Sequence, residues 1–235
     1  FVSVVSHQLR TPLTGIRWML EILQEGKKGT FNPDQKKYVD NIYFLTQQII
    51  KLVNTLLNIS HLESGKITID YKPVQMEQLI EKILQTLQHH AKEKKCSLIF
   101  RKPSKKFPQI SIDYSLISQV LHNIIVNAIN YSSFQKTPRV VISLKNEAGN
   151  KFTIIIKDNG IGIPQKFQSR IFDKFSRADN AQKAIPNGTG LGLNTAKTIL
   201  DRIGGNISCK SAVGKGTAFF ITLPKVGPKK KNQKE

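Results

Sequence analysis

Apolar residues at Val5, Leu9, Pro12, Ile16, Met19 and Leu23 follow one another at spacings of four, three, four, three and four. This is the heptad pattern of a helix with a continuous seam along one side. A second seam runs through Tyr38, Ile42, Leu45, Ile49, Leu52, Leu56 and Ile59. Between them, Gly26-Lys27-Lys28-Gly29-Thr30-Phe31 reads as a loop. Asn32 is placed to N-cap the second helix, Pro33 suits its first turn, and Gln35 stands where a capping-box partner belongs. The pattern predicts an antiparallel helical hairpin. Each seam side chain contributes about 1.5–3 kcal/mol when buried, and a lone hairpin leaves part of both seams wet. A second copy would complete a dimeric four-helix bundle; packing on the remainder of the same chain is the alternative.

After Ser64-Gly65 the period changes. Ile67, Ile69 and Tyr71 alternate and predict a strand. Met76, Leu79, Ile80, Ile83, Leu84 and Leu87 share a helical face, and Leu98–Phe100 reads as a strand. Leu116, Val120, Leu121, Ile124 and Ala128 mark another helix, with Asp113 as its N-cap. Val140–Leu144, Phe152–Lys157, Ile207–Lys210 and Ala218–Leu223 read as strands, and Leu191–Ile203 as a helix. The stretch Ser176–Gly188 has little apolar content and no period, which predicts a mobile loop. The fold class is therefore α plus α/β. It comprises a helical hairpin over residues 1–64, an α/β sandwich over 65–225 and a frayed basic tail over 226–235.

Composition narrows the partners. Lys and Arg number 36 against 16 Asp and Glu, for a net charge of +20, which suits an anionic partner or a solvated basic surface. No basic stripe with interleaved aromatics appears, so nucleic acid is not the expected partner. No run of 18 apolar residues is present. Cys96 and Cys209 match no metal or redox spacing, which points to a reducing compartment. Phe1 opens partway along a helix, so the chain reads as part of a longer one.

Five features are candidates for chemistry. His7 lies about 200° around its helix from the seam position Val5, toward water. Pro12, five residues on, cannot donate to the Gln8 carbonyl and weakens that turn. Asp158-Asn159-Gly160-Ile161-Gly162-Ile163-Pro164 follows a strand, and a carboxylate there can accept from an exocyclic amine. Gly188-Thr189-Gly190-Leu191-Gly192-Leu193 precedes a helix, whose N-terminal N–H groups suit phosphate. A third glycine turn, Gly214-Lys215-Gly216-Thr217, leads into the last strand. Asn123 and Asn127 share a face of an otherwise apolar helix, where two amides are costly without partners.

Together these segments resemble the transmitter core of bacterial sensor histidine kinases. Phe1–Leu13 is similar to that family's phosphoacceptor box and Gln119–Ser132 to its asparagine box. Asp158–Pro164 and Gly188–Leu193 resemble its two glycine boxes, and Ile171–Arg177 its phenylalanine box. The resemblance implies that His7 accepts the γ-phosphoryl group of ATP and that Asp158 reads the adenine amine. It implies Asn127 as the Mg²⁺ ligand, Asn123 near the phosphates, and Tyr131 lining the nucleotide site. Gly160 and Gly162 would shape the turn beside the base. Gly188, Thr189, Gly190, Leu191, Gly192 and Leu193 would bring backbone to the phosphates, and Thr217 would sit near the base. Residues 172–188 would form a lid with Arg177 poised toward the transferring phosphate. Thr11 would orient water for dephosphorylation of the partner.

The implied partners are ATP, a second copy of the chain and the receiver domain of a response regulator, with this region cytoplasmic and the parent anchored in a membrane or soluble. Two departures stand out. Gln8 replaces the usual acidic neighbour of the histidine, and Asn130 replaces a basic residue expected to contact phosphate. They keep open the alternative of a dimeric nucleotide-binding adaptor with weak or no kinase activity.

Overall fold

The structure, a computed structural model, describes residues 2–25, 29–64, 68–104, 107–147 and 149–225, excluding the side chains of residues 2–8. Loop residues 26–28, Gly65, Ile67 and the basic tail lie outside the described residues, as do the side chains of His7 and Gln8. The chain divides into two compact units, Phe1–Ile67 and Thr68–Glu235.

The first unit is two antiparallel helices, α1 (Val2–Gln24) and α2 (Pro33–Glu63). The capping box at the start of α2 forms as its sequence requires. The Gln35 N–H donates to Asn32 Oδ1 at 2.8 Å, and the Asn32 N–H donates to Gln35 Oε1 at 3.0 Å. Such a cap stabilises a helix by about 1 kcal/mol. Pro12 lies within α1 and does not end it. Polar ties join the helices at both ends. The Arg10 guanidinium donates to Asn54 Oδ1 at 2.7 and 3.0 Å, and Gln24 Nε2 donates to Asp40 Oδ1 at 2.8 Å. Leu20, Val53, Leu57 and Leu62 are buried. The heptad seams are not the buried stripe over most of their length. Met19 is 63% exposed, Tyr38 69%, Leu45 56% and Ile49 48%.

The second unit opens with strand β1 (Lys72–Val74) and helix α3 (Met76–Glu93), followed by β2 (Ser97–Arg101), β3 (Ile110–Ile112) and α4 (Tyr114–Ser132). Then come β4 (Arg139–Asn146), β5 (Lys151–Asp158), a 3₁₀ turn (Gln165–Phe167), α5 (Asp179–Ala184), α6 (Gly192–Arg202), β6 (Asn206–Ala212) and β7 (Gly216–Pro224). Five strands form one sheet in the order β2-β4-β5-β7-β6; β2 and β4 are parallel and the other pairs antiparallel. Alternation sets its faces. Val140, Ile142, Phe152, Ile154, Ile156, Phe219 and Ile221 are buried against the helical layer. From that layer α4 contributes Ile117, Val120, Leu121, Ile124 and Ile125, all fully buried. Asp113 caps α4 by accepting the Leu116 N–H at 3.0 Å.

Two expectations are corrected. Ile67 lies outside the described residues, and the rest of the alternating stretch, 68–71, does not form a strand. Pairing begins at Lys72, opposite Ile112 in a two-stranded ladder, while the Asp70 N–H donates to Asp113 Oδ2 at 2.9 Å. The stretch Ser176–Gly188 is not all loop, because α5 occupies Asp179–Ala184. Strand β3 had no sequence forerunner: at three residues it is too short to show a period.

Candidate functional site

Strand β5 ends in a turn that folds back on its own carboxylate. The Gly160 N–H donates to Asp158 Oδ1 at 2.8 Å, and from the start of β7 the Thr217 N–H reaches the same oxygen at 3.1 Å. Asn159 fastens the turn from outside, its Oδ1 accepting the Arg139 N–H at 2.9 Å and its Nδ2 donating to the Thr137 carbonyl at 2.8 Å. A Cβ at Gly160 would come within 2.5 Å of the Tyr131 carbonyl oxygen. Gly162 has φ +69, and a side chain there would run into the Ala212 carbonyl. Glycine at these two positions thus lets three backbone segments meet around one carboxylate. Ser211 Oγ joins them by accepting the Ile163 N–H at 2.8 Å and sharing a 2.8 Å hydrogen bond with Thr217 Oγ1.

Asp158 is 5% exposed, and burial pushes its carboxyl up to about 6 although the backbone donors pull the other way. It lines a cleft of about 770 Å³ that includes some open solvent, together with Asn127, Ala128 and Tyr131 of α4. Apolar walls come from Ile161, Ile163, Phe167, Ile171 and Phe219. Gly190, Gly192 and Leu193, at the start of α6, line the far side, and no side chain caps that helix. An apolar slot with a buried acceptor at one end and an uncapped helix N-terminus at the other fits a planar base bearing an amine, joined to phosphates.

The structure brings Asn127, Tyr131, Asp158, Gly162, Arg177, Gly190, Gly192, Leu193 and Thr217 to this cleft. Other expected residues stand behind it. Asn123 Nδ2 donates to the Gly192 carbonyl at 3.3 Å, tying α4 to the start of α6. Thr189 Oγ1 accepts the Leu191 N–H at 3.4 Å, and Leu191 is fully buried. Asn130 Oδ1 lies 2.8 Å from His90 Nε2, so α3 supplies its partner. Gly188 faces the Arg177 guanidinium, which donates to the carbonyls of Pro186 (2.8 Å), Ala181 (3.0 Å) and Ile185. Thr11 is exposed on α1.

Sequence reasoning missed Asn180. Its Nδ2 donates to the Gly162 carbonyl at 2.8 Å, while its Oδ1 is buried at the cleft without a donor. Nothing in the spacing of the chain marked it. Burial pushes the Cys96 thiol up to about 11, with a smaller contribution from Asp158, so it is no nucleophile at neutral pH. No cluster of three His, Cys, Asp or Glu side chains suited to a metal occurs among the described residues.

Residues 1–65 match the His Kinase A (phospho-acceptor) domain, and residues 112–227 match the histidine kinase-, DNA gyrase B- and HSP90-like ATPase family. The chain belongs to the sensor histidine kinases, of which it is a transmitter core. A curated relative, sensor protein kinase WalK of Staphylococcus aureus, is 38% identical over 227 residues, 95% of this chain and 53% of that sequence. Against WalK of strain Newman the same identity covers 36% of the relative. The chain thus spans about half or less of the length of these relatives. In fold it resembles full-length ShkA in complex with AMPPNP, with a TM-score of 0.81 at 24% identity over 97% of this chain and 46% of that one. Histidine kinase AdeS of Acinetobacter baumannii gives 0.66 at 24% identity over 93% of this chain and 98% of its own. Among the described residues no helix is long and apolar enough to cross a membrane.

Proposed function

We propose that the chain is the catalytic core of an ATP-dependent protein-histidine kinase that phosphorylates His7 and passes the phosphoryl group to an aspartate of a response-regulator receiver domain. The observation that carries this reading is Asp158. It is buried at a strand end with two backbone donors on one oxygen, which leaves the other to accept the adenine amine. Thr217 and Tyr131 flank the base, and the triphosphate runs toward Asn127 and the start of α6. ShkA, whose fold is shared, was captured with AMPPNP, which supports ATP as the ligand.

The donor set fits Mg²⁺, which keeps several waters and binds through phosphate oxygens and one or two protein oxygens. Asn127, a cleft-lining amide without a carboxylate cluster around it, would supply that oxygen. The ion would neutralise phosphate charge as the transfer proceeds. His7 Nε2 attacks with its lone pair while the proton stays on Nδ1, held by the Gln8 amide oxygen. The bond from the γ-phosphorus to the bridging oxygen breaks, and ADP leaves with that electron pair. The imidazolium then loses its Nδ1 proton to water. Catalysis on this account is positioning plus charge neutralisation. Arg177 joins the transferring phosphate after exchanging its lid carbonyls for phosphate oxygens. Thr11, one turn after His7, serves the reverse hydrolytic role toward the receiver.

Residues 1–64 then act as the dimerisation and phosphotransfer hairpin, and 65–225 as the ATP-binding domain. A second copy is the partner favoured for the hairpin, because its exposed seam residues repeat at heptad spacing. The reaction belongs on the cytoplasmic side, where ATP is. Incubation with radiolabelled ATP tests the reading: acid-labile label should appear on the chain and vanish in His7→Ala. An unlabelled parent that still binds ATP would instead leave a nucleotide-binding adaptor.

A further inference from the structure

On the reverse side of the strand end that carries Asp158, the sheet bears a second cleft. Arg101, Arg139, Val141, Lys157, Asn159 and Lys215 line it, with Asp158 contributing at its edge. The ladder register explains the convergence. Val141 is paired directly with Lys157 and with Ile99, Arg101 is paired with Ser143, and Arg139 lies two residues before Val141 on the same face. Directly opposed same-face side chains stand about 4.5–5.5 Å apart and diagonal ones about 7–8 Å. Three cations therefore ring Val141, and Lys215 joins them from the turn between β6 and β7. The paired same-face neighbours Ser97, Ile99, Ser143, Ile155 and Ala218 bring no carboxylate.

Several basic side chains elsewhere in this unit find acids, while others, such as Lys136, Lys151 and Lys183, stand singly among the described residues. Lys72 meets Asp70 at 2.6 Å, Lys102 meets Glu81 at 2.5 Å, and Lys197 meets Asp201 at 2.6 Å. The side chains of Arg101, Arg139, Lys157 and Lys215 make no ion pair among the described residues. Four like charges around one concavity repel one another, and an anion seated among them removes that cost. Because the charges converge on a cleft instead of spreading over a face, the fit is to a compact multivalent anion, not an acidic protein surface. Arginine forks and lysine ammonium groups match phosphate oxygens.

We propose that this cleft is a second ligand site, which takes a small anion carrying two or more phosphate groups. It is distinct from the cleft on the other face of the sheet, but the two share covalent structure. Lys157 and Asp158 are consecutive, with side chains on opposite faces, and Lys215 is two residues from the Thr217 N–H that holds Asp158. Occupancy behind the sheet therefore bears on the geometry of Asp158.

The test is calorimetric titration of inorganic tripolyphosphate into the full chain at physiological salt. It is run beside the triple variant Arg101→Gln, Lys157→Gln, Lys215→Gln, with ADP binding as the control for folding. The expected result is saturable binding of tripolyphosphate that weakens about tenfold or more in the variant, while ADP binding persists. GTP titrated in parallel separates the sources: tighter binding than tripolyphosphate that is also lost in the variant means a nucleotide's phosphates, and equal binding means a free oligophosphate. No saturable tripolyphosphate binding, or binding equally tight in the variant, overturns the proposal. So does retention of an acidic peptide by the parent where tripolyphosphate fails.

Discussion

Replacing Asp158 by asparagine should move binding and stability in opposite directions. The amide is nearly isosteric, and its oxygen can still accept the Gly160 and Thr217 N–H groups now held at 2.8 and 3.1 Å. On the proposed reading its Nδ2 would face the adenine amine, donor against donor. Losing a charge-assisted hydrogen bond costs about 1.5–3 kcal/mol, or about ten- to a hundredfold in Kd for ATP. Stability should change the other way. Burial raises this carboxyl from its ordinary 3.8 to about 6. Between those values the folded chain holds a proton that the unfolded chain releases, so this group's contribution to stability falls as pH rises through the window. Above pH 6 the ionised carboxylate costs the fold about 3 kcal/mol. The amide removes that cost, so Asp158→Asn should melt several degrees higher than the parent at pH 7–8. The gain should fade toward pH 4. Calorimetric ATP titration and thermal melts across pH 4–8 read both effects. The parent's ATP affinity should also fall as pH drops through about 6, while the variant's stays flat. A variant that melts lower and binds weaker would show simple misfolding, and one that binds ATP as well as the parent would remove Asp158 from the site.

The remaining expectations are more compact. Leu45→Glu with Ile49→Glu should give monomers by light scattering that still bind nucleotide, because both side chains are about half exposed and serve no buried packing within their unit. A particle of unchanged mass counts against the dimer seam. Gln8→Glu should speed autophosphorylation by less than the about 10²–10⁴-fold of full general-base assistance, because on the proposed reading water can take the Nδ1 proton in the parent. An equal rate at saturating ATP, with chemistry limiting, would mean that residue 8 takes no proton. Arg177→Ala should free the carbonyls of Ala181, Ile185 and Pro186. Cleavage within residues 178–188 by a trace protease should then accelerate several-fold, and label incorporation on His7 should fall; an unchanged digestion pattern would show that the guanidinium does not hold this segment.

Much of the fold was legible because its elements are long and periodic. The core strands are rich in β-branched and aromatic residues, and α4 carries a buried apolar face from Leu116 to Ile129. The capping box of α2 was readable atom by atom, since Asn32, Pro33 and Gln35 act through neighbours in sequence. The hairpin seams were legible as patterns, yet their burial was not: a heptad repeat records which side chains share a stripe, not what the stripe meets. Short or non-local features left no trace. Strand β3 is three residues long, and β1 starts only where Lys72 finds Ile112, forty residues away. Within the site, the glycines marked the turns and Asp158 marked the strand end. The unpaired oxygen of Asn180 and the pairing of Asn130 with His90 depend on contacts across distant segments. Asn130 in particular reads as a missing cation in sequence, whereas in three dimensions it anchors α3 to α4.

The exposed seams also bear on abundance. Among the described residues, ten of the fifteen large apolar side chains left open to solvent lie on the first unit, including Trp18, Met19, Tyr38, Phe44 and Leu45. Such a surface is what holdase chaperones and quality-control proteases recognise, and assembly hides it by mass action. If the proposed dimer forms, an orphan protomer is a substrate for clearance and a paired one is protected. Steady-state level becomes a steep function of synthesis rate near the dissociation constant of the pair. A cell making this protein below that threshold would hold almost none of it, and signalling capacity would switch on with expression instead of scaling with it.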